Sequence, residues 1–131
     1  MQVDLTDEAI VIRFRPTDPE RVLQSAEKEA RRTGGRFGLS VFAAAACEGE
    51  SSQDVIRRLI NASELGGMDP SSHPKYFVCA RAEQVLSMGF TFWKDGDDDE
   101  VAEHYTVNLG AELSLEVVGR FLEVFGPGVR R

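Results

Sequence analysis

Apolar and polar positions alternate most clearly over residues 89–109, GFTFWKDGDDDEVAEHYTVNL, on either side of a very acidic turn. A period of two is the mark of a half-buried strand. The segment therefore predicts two strands, 90–94 and 101–109, joined as a hairpin. The second strand sets His104, Thr106 and Asn108 on one face and Tyr105, Val107 and Leu109 on the other. The same alternation at 8–15 puts Ile10, Ile12 and Phe14 opposite Val11, Arg13 and Arg15, a half-buried strand that Pro16 stops.

Helical spacing fills the intervals. Asp18 as cap, Pro19 at the first position and Glu20 at the positive end begin a helix. Its buried stripe is Val22, Leu23, Ala26 and Ala30, and Gly34-Gly35 ends it behind Arg31 and Arg32. A strand follows at 37–42, with the alanine run after it open to either strand or short helix. Ser51 or Ser52 caps a second helix whose inner face is Val55, Ile56, Leu59 and Ile60. Residues 61–74 are rich in glycine, proline and serine and read as a long surface loop. A short strand at 75–80 and about two helical turns at 81–88, closed by Gly89, precede the hairpin. Ser114 caps a last helix with a stripe of Val117, Val118, Phe121, Leu122 and Phe125, and Gly126-Pro127-Gly128 terminates it. This order predicts an α+β fold. It has a single mixed sheet with a C-terminal antiparallel hairpin and helices mostly on one face, in one compact domain over 1–131.

Composition narrows the partners. The 131 residues carry a formal net charge of −7, so a phosphate backbone is repelled and general nucleic-acid binding is not expected. A basic protein partner suits such a surface. The basic exceptions are residues 28–36 (KEARRTGGR) and Arg130-Arg131. No apolar run approaches the ~20 residues of a membrane helix. The first residues lack a basic-then-apolar leader. No membrane association and a cytoplasmic location are the expectation. Cys47 and Cys79 are far apart and lack CxxC spacing, which suits two reduced, partly buried thiols.

Candidate chemistry is sparse. The acidic turn holds Asp95, Asp97, Asp98, Asp99 and Glu100, but counted as a calcium loop from Asp95 its sixth residue is Glu100 and its twelfth Thr106, where glycine and glutamate are needed. It reads instead as a solvated hairpin turn built on Asp95-Gly96. Cys47, His73, Cys79 and His104 match no zinc-finger or ribbon spacing, so no metal is expected. Ser40 stands in GLSV, not in a GxSxG elbow, and the glycines of RTGGRFG form no phosphate-loop or dinucleotide fingerprint. The polar face of the hairpin is the best site. His104, Thr106 and Asn108, with Asp97, Asp98 and Asp99 of the turn, form the expected partner-binding set. The alternative is catalytic: Arg36, Ser40 and His104 brought together to clamp a phosphate-bearing ligand such as NAD. No cofactor is expected outside that alternative.

The succession GLSVF, a loop with HP, a strand, MGF, HYTV and a short terminal helix resembles small bacterial proteins of toxin–antitoxin or conflict-system type. The resemblance spans roughly residues 36–125 and rests on short motifs. It implies a partner-binding role of antitoxin or immunity kind. Arg36, Ser40 and a later acidic residue are also similar to the arginine–serine–glutamate pattern of ADP-ribosyltransferase toxins, which implies NAD as the substrate of the alternative. Here the serine is not in an STS motif, and the one ExE pair, Glu48 and Glu50, stands close behind Ser40.

Overall fold

The structure is a computed structural model that describes residues 2–14, 18–65, 76–94 and 101–130. Its strands are β1 (Gln2–Val3), β2 (Ile10–Arg13), β3 (Phe37–Ala44), β4 (Tyr76–Arg81), β5 (Thr91–Trp93), β6 (His104–Gly110) and β7 (Val129–Arg130). Its helices are α1 (Pro19–Thr33), α2 (Ser52–Leu65), α3 (Ala82–Ser87) and α4 (Leu115–Glu123). The seven strands form one sheet in the order β1-β5-β6-β3-β2-β4-β7.

Every pairing in that sheet is antiparallel. The α+β class holds, and the expected mixed sheet is corrected to an antiparallel one. Side chains alternate with the same period in parallel and antiparallel ladders, so the sequence pattern carries no strand direction. The hairpin forms as expected, with Thr91, Phe92 and Trp93 opposite Asn108, Val107 and Thr106. The alanine run resolves as strand, since β3 continues to Ala44. The expected loop at 61–74 begins later than the composition indicated, because α2 runs on to Leu65; residues 66–75 lie outside the described residues.

Local chemistry accounts for the element ends. Gly34 stands in the left-handed region at φ 82°, where a Cβ is unfavourable, and its N–H donates to the Ala30 carbonyl at the end of α1. Ser51 and Asp54 cap α2 reciprocally: Asp54 N–H donates to Ser51 Oγ and Ser51 N–H to Asp54 Oδ2. At α4 the Val117 N–H donates to Ser114 Oγ.

The core has two compartments, one on each face of the sheet. On the first face, Val22 and Ala26 of α1, Val118 and Phe121 of α4, and Ala82 and Val85 at α3 pack with Val11, Leu39, Val41, Phe92, Val107 and Leu109. On the second face, Val55 and Leu59 of α2 pack with Ile10, Ile12, Phe14 and Phe77. The first long strand is therefore not half-buried as its alternation suggested. All four residues of β2 are buried, because helices cover both of its faces.

Arg13 shows the consequence. Sharing a face with Val11, it is only 4% exposed. Its Nη1 donates to the Ser40 carbonyl (2.6 Å), and its guanidinium lies 5.8 Å from the centroid of the Phe121 ring. Nε has no hydrogen-bond partner. Burial lowers the pKa of this guanidinium to about 10.

Two stability predictions follow from this packing. Phe121 is fully buried and stacks edge-on with Phe90 and Phe125. Phe121→Ala should cost about 3–5 kcal/mol in urea unfolding, the range for an aromatic-sized cavity; a loss inside the surface range of about 0.5 kcal/mol would show that α4 does not dock through this ring. The second concerns Gly38, where an added Cβ would sit 2.5 Å from Thr106 Cγ2. Thr106 is 3% exposed and stiff at χ1, so it has little room to give. Gly38→Ala should cost about 1–3 kcal/mol, and adding Thr106→Ser, which removes the opposing methyl, should recover most of it. Strictly additive losses in the double variant would exclude this clash.

Candidate functional site

The hairpin's polar face is assembled by strand register. β6 pairs with β3, setting Asn108 opposite Gly38, Thr106 opposite Ser40 and His104 opposite Phe42. On its other side β6 pairs with β5, setting Asn108 opposite Thr91 and Thr106 opposite Trp93. One face of the sheet thus carries a row Trp93–Thr106–Ser40, flanked by Thr91 and Asn108 on one side and by His104 and Phe42 on the other. The α2 helix lies on this same face, but its apolar cluster draws on β2, β3 and β4 and includes no residue of β5 or β6. The β5–β6 half of the face keeps its polar side chains outside that cluster.

Each member is held in a defined way. The half-buried indole of Trp93 donates its Nε1–H to Thr91 Oγ1 (3.0 Å). The guanidinium carbon of Arg36 lies 4.7 Å from the centroid of the Trp93 ring, a cation–π stack. The ring of His104 packs on Phe42 with centroids 5.5 Å apart. Asn108 Oδ1 accepts the Gly110 N–H (3.1 Å), which turns the side-chain amide nitrogen to other partners. Ser40 is exposed. Lys94 closes the hairpin base: its Nζ donates to the carbonyls of Val101 (3.1 Å) and His104 (2.6 Å) and lies 4.5 Å from the Tyr105 ring centroid.

The expected set is partly assembled. His104 and Asn108 share the polar face as anticipated. Thr106 shares it too, but as a correction it is a buried side chain, closed in between Trp93 and Ser40 and against Gly38, and it does not offer a hydroxyl to a partner. Asp97, Asp98 and Asp99 lie outside the described residues, as does His73. Of the three catalytic candidates, Ser40 and His104 stand on one face of neighbouring strands, and Arg36 reaches the same face through Trp93. Ser40 and His104 are diagonal, not opposite. Diagonal positions on an antiparallel pair lie roughly 7–8 Å apart, a span that a long or aromatic side chain can reach across. The arrangement offers a stacked cation, an imidazole, an amide and a hydroxyl on a rigid sheet, which is suited to recognition.

The sequence reading missed Trp93. Its signal was present, since Trp93 stands two residues from Thr91 and out of phase with the core residue Phe92.

A second polar cluster braces the loop before α2. Arg58 donates through Nη2 and Nε to the two carboxylate oxygens of Glu50 (2.9 and 3.2 Å) and through Nη2 to the Ala45 carbonyl (2.9 Å). Glu50 also accepts the Cys47 N–H (2.7 Å). Hydrogen bonds from Arg58 first, and from Cys47 next, hold the Glu50 carboxyl below its usual range; the same Glu50 contact raises Arg58. The backbone and side-chain hydrogen bonds to Ser51 hold Asp54 down likewise. Among the described residues, no group of three His, Cys, Asp or Glu side chains is placed to hold a metal ion. No described helix is long and apolar enough to cross a membrane.

Both cysteines are free thiols, Cys47 exposed and Cys79 half-buried. Burial raises the pKa of Cys79. An aromatic disulfide reagent at pH 8 should therefore label Cys47 about tenfold or more faster than Cys79, because the thiolate is the attacking species. Peptide mapping of the singly labelled protein checks the order, and preferential labelling of Cys79 would contradict it.

Compared with known protein families, curated proteins and solved structures, the chain matches none of them.

Proposed function

We propose that this protein is a binding component that engages a basic protein partner through the β5–β6 half of its sheet, in the manner of an antitoxin or immunity protein of a bacterial conflict system. One observation carries the reading. A rigid, helix-flanked sheet presents His104, Asn108, Ser40 and the Arg36–Trp93 stack together, outside the apolar cluster beneath α2. Tryptophan and arginine are the residue types most enriched where protein interfaces concentrate their energy. The net charge of −7 adds attraction for a basic partner at long range. Asp97, Asp98 and Asp99, between β5 and β6 in the chain, serve that steering, and the sheet residues supply short-range hydrogen bonds.

The placement of Arg36, Ser40 and His104 on one face favours one second reading, a small NAD-using enzyme. The two separate in a single experiment on the protein together with the product of the neighbouring gene. In the binding reading, His104→Ala and Asn108→Ala each raise the dissociation rate about tenfold. Replacing Asp97, Asp98 and Asp99 with asparagine chiefly slows association, and more so at low salt. Surface plasmon resonance at two ionic strengths measures both. Unchanged binding kinetics in His104→Ala, together with loss of NAD consumption, would replace the binding reading with the enzymatic one.

A further inference from the structure

A separate groove opens where β3 and β6 end. Phe37 pairs with Gly110, and the chain then passes through residues 111–114 into α4. Leu23 and Glu27 of α1, Phe37, and residues 111–115 line a space of about 640 Å³. That lies within the ~300–1,000 Å³ range of ligand-binding clefts. Its apolar wall is Leu23, Phe37, Leu113 and Leu115; the last is 53% exposed although it opens an amphipathic helix. Its charged lining is Glu27 and Glu112, with no cation among the lining residues. Glu116 stands exposed one residue beyond Leu115. Arg21, Lys28 and Arg31 of α1 line a neighbouring surface that meets the groove at Glu27.

We infer that this groove is a docking site for a basic peptide segment of a partner protein, anchored by one bulky apolar side chain and flanked by lysine or arginine. The apolar wall is drawn from both helices, the end of the sheet and the segment 111–114 between them. Burying Leu115 and the exposed edge of Phe37 supplies the hydrophobic contribution. Glu112 and Glu116, with Glu27 at the border of the basic surface of α1, favour cations beside the anchor over an acidic segment. An apolar groove with one sign of charge in its lining is the complement of an amphipathic basic segment. The inference does not depend on the polar-face reading, since the two surfaces share no residue.

The test uses the full chain and a fluorescein-labelled twelve-residue peptide with a central phenylalanine between lysines. Two control peptides carry serine for the phenylalanine or glutamates for the lysines. Fluorescence anisotropy should show saturable binding of the first, with each control weaker by tenfold or more. Glu27→Lys with Glu112→Lys should weaken the basic peptide at least tenfold and improve the acidic one. Leu115→Ser should weaken the basic peptide without changing the melting temperature, since Leu115 is exposed. His104→Ala should leave this binding unchanged, which separates the groove from the polar face. Equal binding of the phenylalanine and serine peptides would mean diffuse attraction to an acidic protein and would overturn the proposal. So would undiminished binding to the Glu27→Lys/Glu112→Lys variant.

Discussion

A single helix cannot cover the second face of this sheet. With its side chains an α-helix is about 10–12 Å across, while neighbouring strands stand about 4.7–4.9 Å apart, so one helix shields roughly two to three strands. The first face has three helices, and its compartment reaches from β4 to β5. Among the described residues the second has α2 alone, packed with residues of β2, β3 and β4. The strands beyond its reach have to carry residues that tolerate water. That constraint explains why β6 presents His104 and Asn108 on this face while Tyr105, Val107 and Leu109 join the core on the other. The site is the part of the sheet that the helices leave over.

The same geometry gives three basic residues different tasks. Arg13 lies on the covered face and loses its hydration; a backbone carbonyl and an aromatic ring replace part of it, and the pKa falls to about 10. Burying an incompletely compensated charge is costly, so this residue opposes folding in exchange for tying β2 to the Ser40 carbonyl and α4. Arg36 immediately precedes β3 and lies half-buried over the Trp93 ring. An arginine head keeps its charge while its flat face lies on an indole, so the pair stays ordered at the rim of the polar face. Lys94 acts at the opposite end of the hairpin, where its side chain at the end of β5 holds the Val101 and His104 carbonyls at the start of β6.

Recognition on such a surface depends on rigidity. Side chains held on paired strands lose less conformational freedom on binding than side chains on a loop, which lowers the entropic cost of association. Trp93 is fixed by its bond to Thr91, and His104 by its contact with Phe42. Ser40 and His104 stand on neighbouring strands and share this face. The register makes them diagonal, with Thr106 and Phe42 in the opposing positions.

The sequence by itself determined the local events: the hairpin, the split of β6 into a core face and a polar face, the glycine end of α1, the serine cap of α4 and its stripe through Phe121. These depend on residues a few positions apart, and periodicity and capping chemistry record them directly. Only the tertiary structure decided which strands become neighbours. The pairing of β3 with β6 joins Ser40 to Thr106 and Phe42 to His104 across more than sixty residues of chain, and strand alternation carries neither partner nor direction. Burial on both faces of β2 was hidden for the same reason, since a strand's own alternation cannot report that a helix from elsewhere covers its polar side. Alternation sets Thr106 on the polar face, yet Trp93, Ser40 and Gly38 close around it, and it sets Arg13 opposite Ile12, where Phe121 of α4 packs against it. In each case the deciding neighbour comes from a distant part of the chain, and distance along the chain is what local pattern does not encode.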